Sequence, residues 1–161
     1  MTANRQNADL PAETAAPLPI AVRRHWLVGE VTRRLGQRCG YRGGPIVTAV
    51  SGGPDSTALL LCLAVMAERR EPTDLPMRIT VAHVHHHLRD SADDDAAWTQ
   101  SLCGQLSLPF RIAHIHPAKR DGNTAAAARK MRYESLAKIA AETGAIHIAF
   151  GHHGEDQLET I

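Results

Sequence analysis

The chain is poor in aromatic residues. Two Trp, two Tyr and two Phe make up 4% of its 161 residues, too few for a base-stacking platform for single-stranded nucleic acid. Cysteine is scarce as well. Cys39, Cys62 and Cys103 are odd in number and far apart, and they form no CxxC. That excludes a disulfide framework, a zinc ribbon and a CxxC redox pair, and leaves the three as expected core filler. No apolar run approaches the roughly 18 residues of a membrane-spanning helix. The N-terminal stretch carries no apolar segment of signal-peptide type, so a cytoplasmic, membrane-free location is expected.

Net charge is small too, +1 at neutral pH, but it is unevenly placed. Residues 1–44 hold seven Arg and Lys against three Asp and Glu; residues 45–161 hold eleven against fourteen. The basic front end reads as a solvated helix face. Its alternative is a phosphate-contacting flank for a nucleic acid, built from Arg23, Arg24, Arg33, Arg34 and Arg38.

What the chain does have is a 43% hydrophobic content, enough to pack one domain. Residues 1–19 are polar and Ala/Pro-rich without a period, and read as a loose tail. From 20 to 38, Ile20, Leu27, Val31 and Leu35 recur at helical spacing with Trp26 alongside. PIVTAV (45–50) reads as a buried strand. TALLLCLAVMAERR (57–70) is a helix apolar nearly all round, hence buried against a sheet. The alternation continues: strand 77–84; helix 91–106 with Trp98, Leu102 and Leu106 on one stripe; strand 109–115; helix 123–144; strand 145–150; and the start of a further helix. Strands alternating with helices predict parallel βαβ units with right-handed crossovers.

The fold class expected is therefore α/β, a Rossmann-like parallel sheet with helices on both faces. In strand order 3-2-1-4 the loops after the first and fourth strands share one cleft at the carboxyl ends of the strands. Those loops, SGGPDS and GHHGEDQ, are the most polar turns of the strand-to-helix kind.

Ser51, Gly52, Gly53, Pro54, Asp55 and Ser56 lie between a hydrophobic strand and a buried helix. Glycines allow close backbone approach and positive φ. Free N–H groups at a helix start bind anions, and Ser51, Ser56 and Thr57 add hydroxyls. The turn lacks the GK[ST] ending of a Walker loop and is not GxGxxG. On the glycines alone it is equally a tight βα turn capped by Asp55 or Ser56.

The string AVSGGPDST matches SGGxDS, and so resembles the PP-loop ATP pyrophosphatase superfamily, whose members cleave ATP between the α and β phosphates. Three later segments are similar to those of the tRNA(Ile)-lysidine synthetases. In HVHHHLR, residues His83, His86, Leu88 and Arg89 match, while His85 replaces the common Asn or Asp and His87 the common Gly. In NTAAAARKMRY, residues Asn123, Arg129, Arg132 and Tyr133 match, and Ala125 stands where Glu is usual. In GHHGEDQLET, residues His152, His153, Asp156, Gln157, Glu159 and Thr160 match, and Glu155 replaces Asp.

The resemblance implies a PP-loop domain over 20–161 that is incomplete at its C-terminus, with the sheet's last strand missing. It implies ATP and Mg²⁺ as cofactors, and tRNA(Ile) with a cytidine at the wobble position and L-lysine as substrates. ATP falls to Ser51–Ser56 and His83, with Mg²⁺ at Asp55, because a carboxylate beside a polyphosphate needs a cation between them. Arg129, Arg132, Glu155 and Asp156 are the catalytic candidates, and His86, Arg89, His152 and His153 the substrate-binding ones. The reaction implied is ligation of lysine to C2 of the cytidine through an adenylated tRNA, releasing AMP and pyrophosphate. As it stands the chain is expected to bind ATP weakly and to modify tRNA inefficiently. The alternatives are a PP-loop tRNA thiolase, which the absent CxxC disfavours, and a non-catalytic ATP-binding remnant.

Two clusters have plainer readings. His83, His85, His86, His87, His114 and His116 invite a metal, but their spacing matches no closed site. Ligand contact is expected for His83 and His86 and solvent exposure for the others. Asp93, Asp94 and Asp95 begin a helix, where acid suits the macrodipole.

Overall fold

A computed structural model describes residues 17–69, 75–87, 92–116 and 124–151. β1 (Gly44–Ala49) lies between β2 (Met77–His85) and β4 (His147–Phe150), and β3 (Phe110–His114) pairs with the outer side of β2. All three pairings are parallel, giving the order β3-β2-β1-β4, as the sequence predicted. The register sets Ala49 beside Ala82 and Phe150, and His85 beside His114. The carboxyl ends of the strands therefore stand in one row.

The helices cover both faces. α1 (Ile20–Arg23), α2 (Trp26–Gln37), α3 (Pro54–Arg69) and α4 (Ala92–Gln105) lie on one side, and α5 (Thr124–Thr143) on the other. Alternating strand residues divide accordingly. Ile46, Val50, Ile79 and Val81 pack with Val28, Leu60 and Leu63; Val47, Ala49, Ala82 and Val84 pack with Leu136, Ile139 and Ala140. α3 is apolar all round because the sheet covers one side and α2 the other. Pro54 opens it, where a missing N–H costs nothing.

Several expectations are corrected. The stretch 20–38 is two helices: the chain leaves helical geometry near Arg24, and the His25 ring Nδ1 accepts from the Leu27 N–H at 3.3 Å to cap α2. Ile20 and Trp26 point outward, and Val28 takes the buried place instead. Trp98 is likewise exposed, while Ala96, Thr99 and Cys103 form the buried stripe of α4. Cys62 and Cys103 are core residues as expected, but Cys39 is exposed. The end of the expected tail is held in place: Leu18 packs on the core and its N–H donates to Glu68 Oε1 at 3.2 Å.

Three arginines of the basic flank are paired within the chain. Glu30 bridges Arg33 and Arg34 at 2.8 and 2.6 Å, and Arg23 meets Glu68 at 3.6 Å. The hydrogen bond from Arg33, then that from Arg34, holds the Glu30 carboxyl below its usual range. The solvated-face reading fits these pairs. Among the described residues no helix is long and apolar enough to cross a membrane.

Candidate functional site

β1 delivers the chain into the turn Ser51–Gly53, and α3 leaves it at Pro54. Gly52 has φ +89°, a left-handed geometry that glycine alone takes without strain. A Cβ there would stand 2.9 Å from the Asp95 Cβ. Gly53 differs. Its φ is not positive, and a Cβ would meet only the Ser51 Oγ at 3.6 Å. The conformational demand that the sequence suggests for both glycines falls on Gly52.

The turn is stapled from inside by Ser56. Its hydroxyl is buried, accepts from the Ser51 N–H at 3.2 Å and donates to the Gly53 carbonyl at 3.0 Å. Thr57 Oγ1 donates to the same carbonyl at 2.8 Å. The hydroxyls of Ser56 and Thr57, read from sequence as donors to a ligand, are thus spent on the loop. The backbone remains: among the described residues no acceptor takes the N–H of Gly52, Gly53 or Ser56. These donors sit at a helix N-terminus, whose dipole favours an anion. Ser51, Pro54 and Asp55 are exposed.

His83 braces this turn from β2. It is buried, and its ring Nδ1 lies 2.8 Å from the carbonyl oxygen of Val50, the residue just before Ser51. Burial holds the imidazole below its usual pKa, so the neutral ring donates Nδ1–H to that carbonyl. His83 thus lies against the strand end that leads into the turn.

The end of β4 closes the other side. Gly151 follows Phe150, and a Cβ on it would stand 2.6 Å from Ser56 Cα and 2.7 Å from Ser56 N. The residue that follows β4 therefore meets the start of α3 at the switch point of the sheet. α5 adds two cations to the β4 side. The guanidinium of Arg132 stacks over the Phe150 ring at 5.7 Å and that of Arg129 over Tyr133 at 5.8 Å; Tyr133 and Phe150 touch, with centroids 5.5 Å apart. Arg132 is half-buried, burial pulls its pKa down, and among the described residues no carboxylate pairs with it.

Of the residues singled out in the sequence, the structure brings Ser51–Ser56 and His83 together, and Arg129 and Arg132 beside the end of β4. His86 lies half-buried just past β2. Arg89, His152, His153, Glu155 and Asp156 lie outside the described residues. Sequence reasoning missed Gly151, Asp95 and Phe150. Gly151 was signalled by its place directly after an apolar strand; Asp95 had only its membership of an acidic helix start. His85, expected in solvent, is buried.

A profile of the PP-loop domain matches residues 29–161. The tRNA(Ile)-lysidine synthase of Methylobacterium sp. (strain 4-46) is 41% identical over 134 residues, covering 82% of this chain and 37% of that protein. The tRNA(Ile)-lysidine synthase of Bacillus cereus is 40% identical over 121 residues, 72% of this chain and 24% of that one. The chain thus spans well under half the length of these relatives. The solved U34-tRNA thiolase NcsA from Methanococcus maripaludis matches with a TM-score of 0.58 over 79% of this chain and 45% of that one. At 18% identity this last likeness is one of fold. A glycine turn with open backbone donors at the switch point of a 3-2-1-4 parallel sheet, under a profile that spans most of the sequence, leaves one assignment: the chain belongs to the PP-loop family.

Proposed function

We propose that this chain is the nucleotide-binding part of an enzyme that ligates L-lysine to C2 of the wobble cytidine of tRNA(Ile), at the expense of ATP cleaved to AMP and pyrophosphate. One observation carries the reading. A turn bent at Gly52 and met by Gly151 presents N–H groups of Gly52, Gly53 and Ser56 that no acceptor takes among the described residues, in a chain 41% identical to a tRNA(Ile)-lysidine synthase.

In this reading the pyrophosphate portion of ATP rests on Ser51–Ser56. Ser56 serves through its N–H, since its hydroxyl is engaged, and His83 keeps the turn in shape. Mg²⁺ fits the residues present: Asp55 puts an exposed carboxylate on the first turn of α3 beside the free N–H groups, and a polyphosphate there needs a cation to offset that charge. The ion, when bound, shields the phosphate oxygens during bond breaking. The cytidine C2 oxygen attacks the α-phosphorus and pyrophosphate leaves. The lysine amine then attacks C2 and AMP leaves.

Negative charge grows on the transferred group in the first step, and fixed cations lower that barrier. Arg129 and Arg132 are assigned this role from their place beside β4. Glu155 and Asp156 are assigned to the lysine ammonium and its proton, and His86, Arg89, His152 and His153 to substrate contact. A tRNA substrate is consistent with a cytoplasmic location.

Sulfur transfer is disfavoured by the cysteines. Burial pushes the Cys103 thiol up to about 11 and raises Cys62, so neither offers a thiolate. Cys39 precedes β1, whereas the turn follows it. The test is transfer of labelled lysine to a tRNA(Ile) transcript with cytidine at the wobble position, beside the same transcript with uridine there. Incorporation confined to the cytidine transcript supports the assignment. Equal incorporation into both, or sulfur incorporation from a persulfide donor, overturns it.

A further inference from the structure

The ends of β2 and β3 carry four imidazoles that the nucleotide site does not use. The parallel register puts His85 directly beside His114. Two residues on, His87 takes φ +52°, a left-handed turn that brings its ring back over the strand ends. His87 Nε2 lies 3.0 Å from His114 Nδ1. The His87 ring centroid is 4.0 Å from that of His85, and His116 stacks on His87 at 4.4 Å. One ring nitrogen from each of His85, His87 and His114 falls within 4.8 Å of the other two.

We propose that His85, His87 and His114 form a binding site for a late first-row divalent transition metal ion, of which Zn²⁺ is the natural occupant. The chemistry of the donors selects this class. Three neutral imidazoles suit Zn²⁺, Co²⁺ or Ni²⁺, whereas Mg²⁺ and Ca²⁺ require oxygen ligands. The geometry is near what the ion needs. With Zn–N bonds of about 2.0–2.1 Å, two ligands on a tetrahedral ion stand about 3.3 Å apart. The His87–His114 pair has only to open by a few tenths of an ångström, and both rings are exposed and unencumbered by core packing.

His85 arrives oriented. Its Nε2 lies 2.9 Å from Asp93 Oδ1, and this carboxylate fixes the proton on Nε2. The lone pair then sits on Nδ1, where it accepts the His87 N–H at a long 3.2 Å, a weak contact that the ion must replace to be ligated by His85. A carboxylate behind a ligating histidine is the usual outer-shell arrangement, and it strengthens the ligand. Three protein ligands with an exposed side leave the fourth position to water. Bound there, the ion ties the ends of β2 and β3 together. It lies off the β1–β4 switch point, so it is distinct from the phosphate turn.

Position 87 separates a metal site from mere stacking. Because φ is positive, glycine fits there without strain, so His87→Gly removes a ligand while leaving the backbone content. Zn²⁺ binding is measured by calorimetry on the full, untagged chain, with Co²⁺ absorption as a second readout. The expected result is one ion per chain, intense visible bands of tetrahedral Co²⁺, and no competition from Mg²⁺. Affinity should fall about tenfold or more in Asp93→Asn, and stoichiometric binding should be lost in His87→Gly and His114→Ala. Circular dichroism and urea midpoints verify that these variants fold. No Zn²⁺ uptake by the wild-type chain at micromolar concentration, or the same affinity in folded His87→Gly, overturns the proposal.

Discussion

Gly151 and Ser56 meet backbone to backbone: a Cβ on Gly151 would stand 2.6 Å from the Ser56 Cα. This contact joins the end of β4 to the first turn of α3, and so fixes how closely the two elements approach. Gly151→Ala must push the end of β4 and the start of α3 apart. The expected cost is about 1–3 kcal/mol of stability, as for other overpacked sites, together with weaker ATP binding. Urea denaturation and a nucleotide titration check the two effects.

The two glycines of the turn are expected to behave differently. Gly52→Ala meets both a positive φ and the Asp95 side chain, and should cost about 1–3 kcal/mol. Gly53→Ala meets neither and should leave stability nearly unchanged. Asp95→Ala should recover little of the Gly52→Ala loss, because alanine keeps the Cβ that stands 2.9 Å away and the backbone part remains. Equal urea midpoints for Gly52→Ala and Gly53→Ala would mean that the turn is not shaped as described.

Arg132 combines charge with a planar face over Phe150. Lysine keeps the charge but not the stacking plane. Arg132→Ala and Arg132→Lys should both lower ATP turnover about tenfold or more with little change in ATP affinity, because the proposed interaction strengthens only as charge develops. A full-rate Arg132→Lys variant would show that position needs only a cation. An unchanged Arg132→Ala would remove the residue from the mechanism.

The cysteines should matter to stability and not to chemistry. Cys39→Ser is exposed and should change stability by no more than about 0.5 kcal/mol. Cys103→Ser buries a hydroxyl and should cost about 1–3 kcal/mol. Replacing all three by Ala should leave nucleotide binding intact in the folded fraction. Loss of turnover without loss of folding would favour sulfur chemistry.

Tyr41 gives the protein an alkaline limit. It is buried, its hydroxyl donates to the Gly44 carbonyl at 2.8 Å, and burial raises its pKa to about 12 from 10.0. The unfolded chain loses this proton first, so the folded state holds more protons between those values. Stability from this group is fully present below pH 10 and is lost as pH rises towards 12. Tyr41→Phe should flatten the fall of the urea midpoint across that window. An undiminished slope would assign the alkaline loss to other groups, such as Cys103.

Much of the fold was legible because the periodicities were strong. The short apolar strands and the all-round apolar helix around Leu60 and Leu63 leave few alternatives to a covered parallel sheet. Boundaries and stripes were read less well. Ile20, Trp26 and Trp98 are large apolar side chains near helical spacing, yet they face solvent, since spacing does not say where the neighbouring element ends. The phosphate turn was legible as a string, but the division of labour within it was not. Only the folded geometry shows that the Ser56 hydroxyl is consumed internally and that Gly52 rather than Gly53 is sterically required. The histidines could be grouped from the sequence, but which of them meet could not, because their meeting depends on the β2–β3 register.

The central claim concerns which bond of ATP is broken, and the nucleotide products test it most directly. The chain is incubated with ATP, Mg²⁺, L-lysine and tRNA(Ile) bearing a wobble cytidine, and the nucleotides are separated. Even slow turnover suffices, because the identity of the products decides. The account predicts AMP and pyrophosphate in equal amounts, with formation abolished by Gly52→Val. ADP and inorganic phosphate would contradict it.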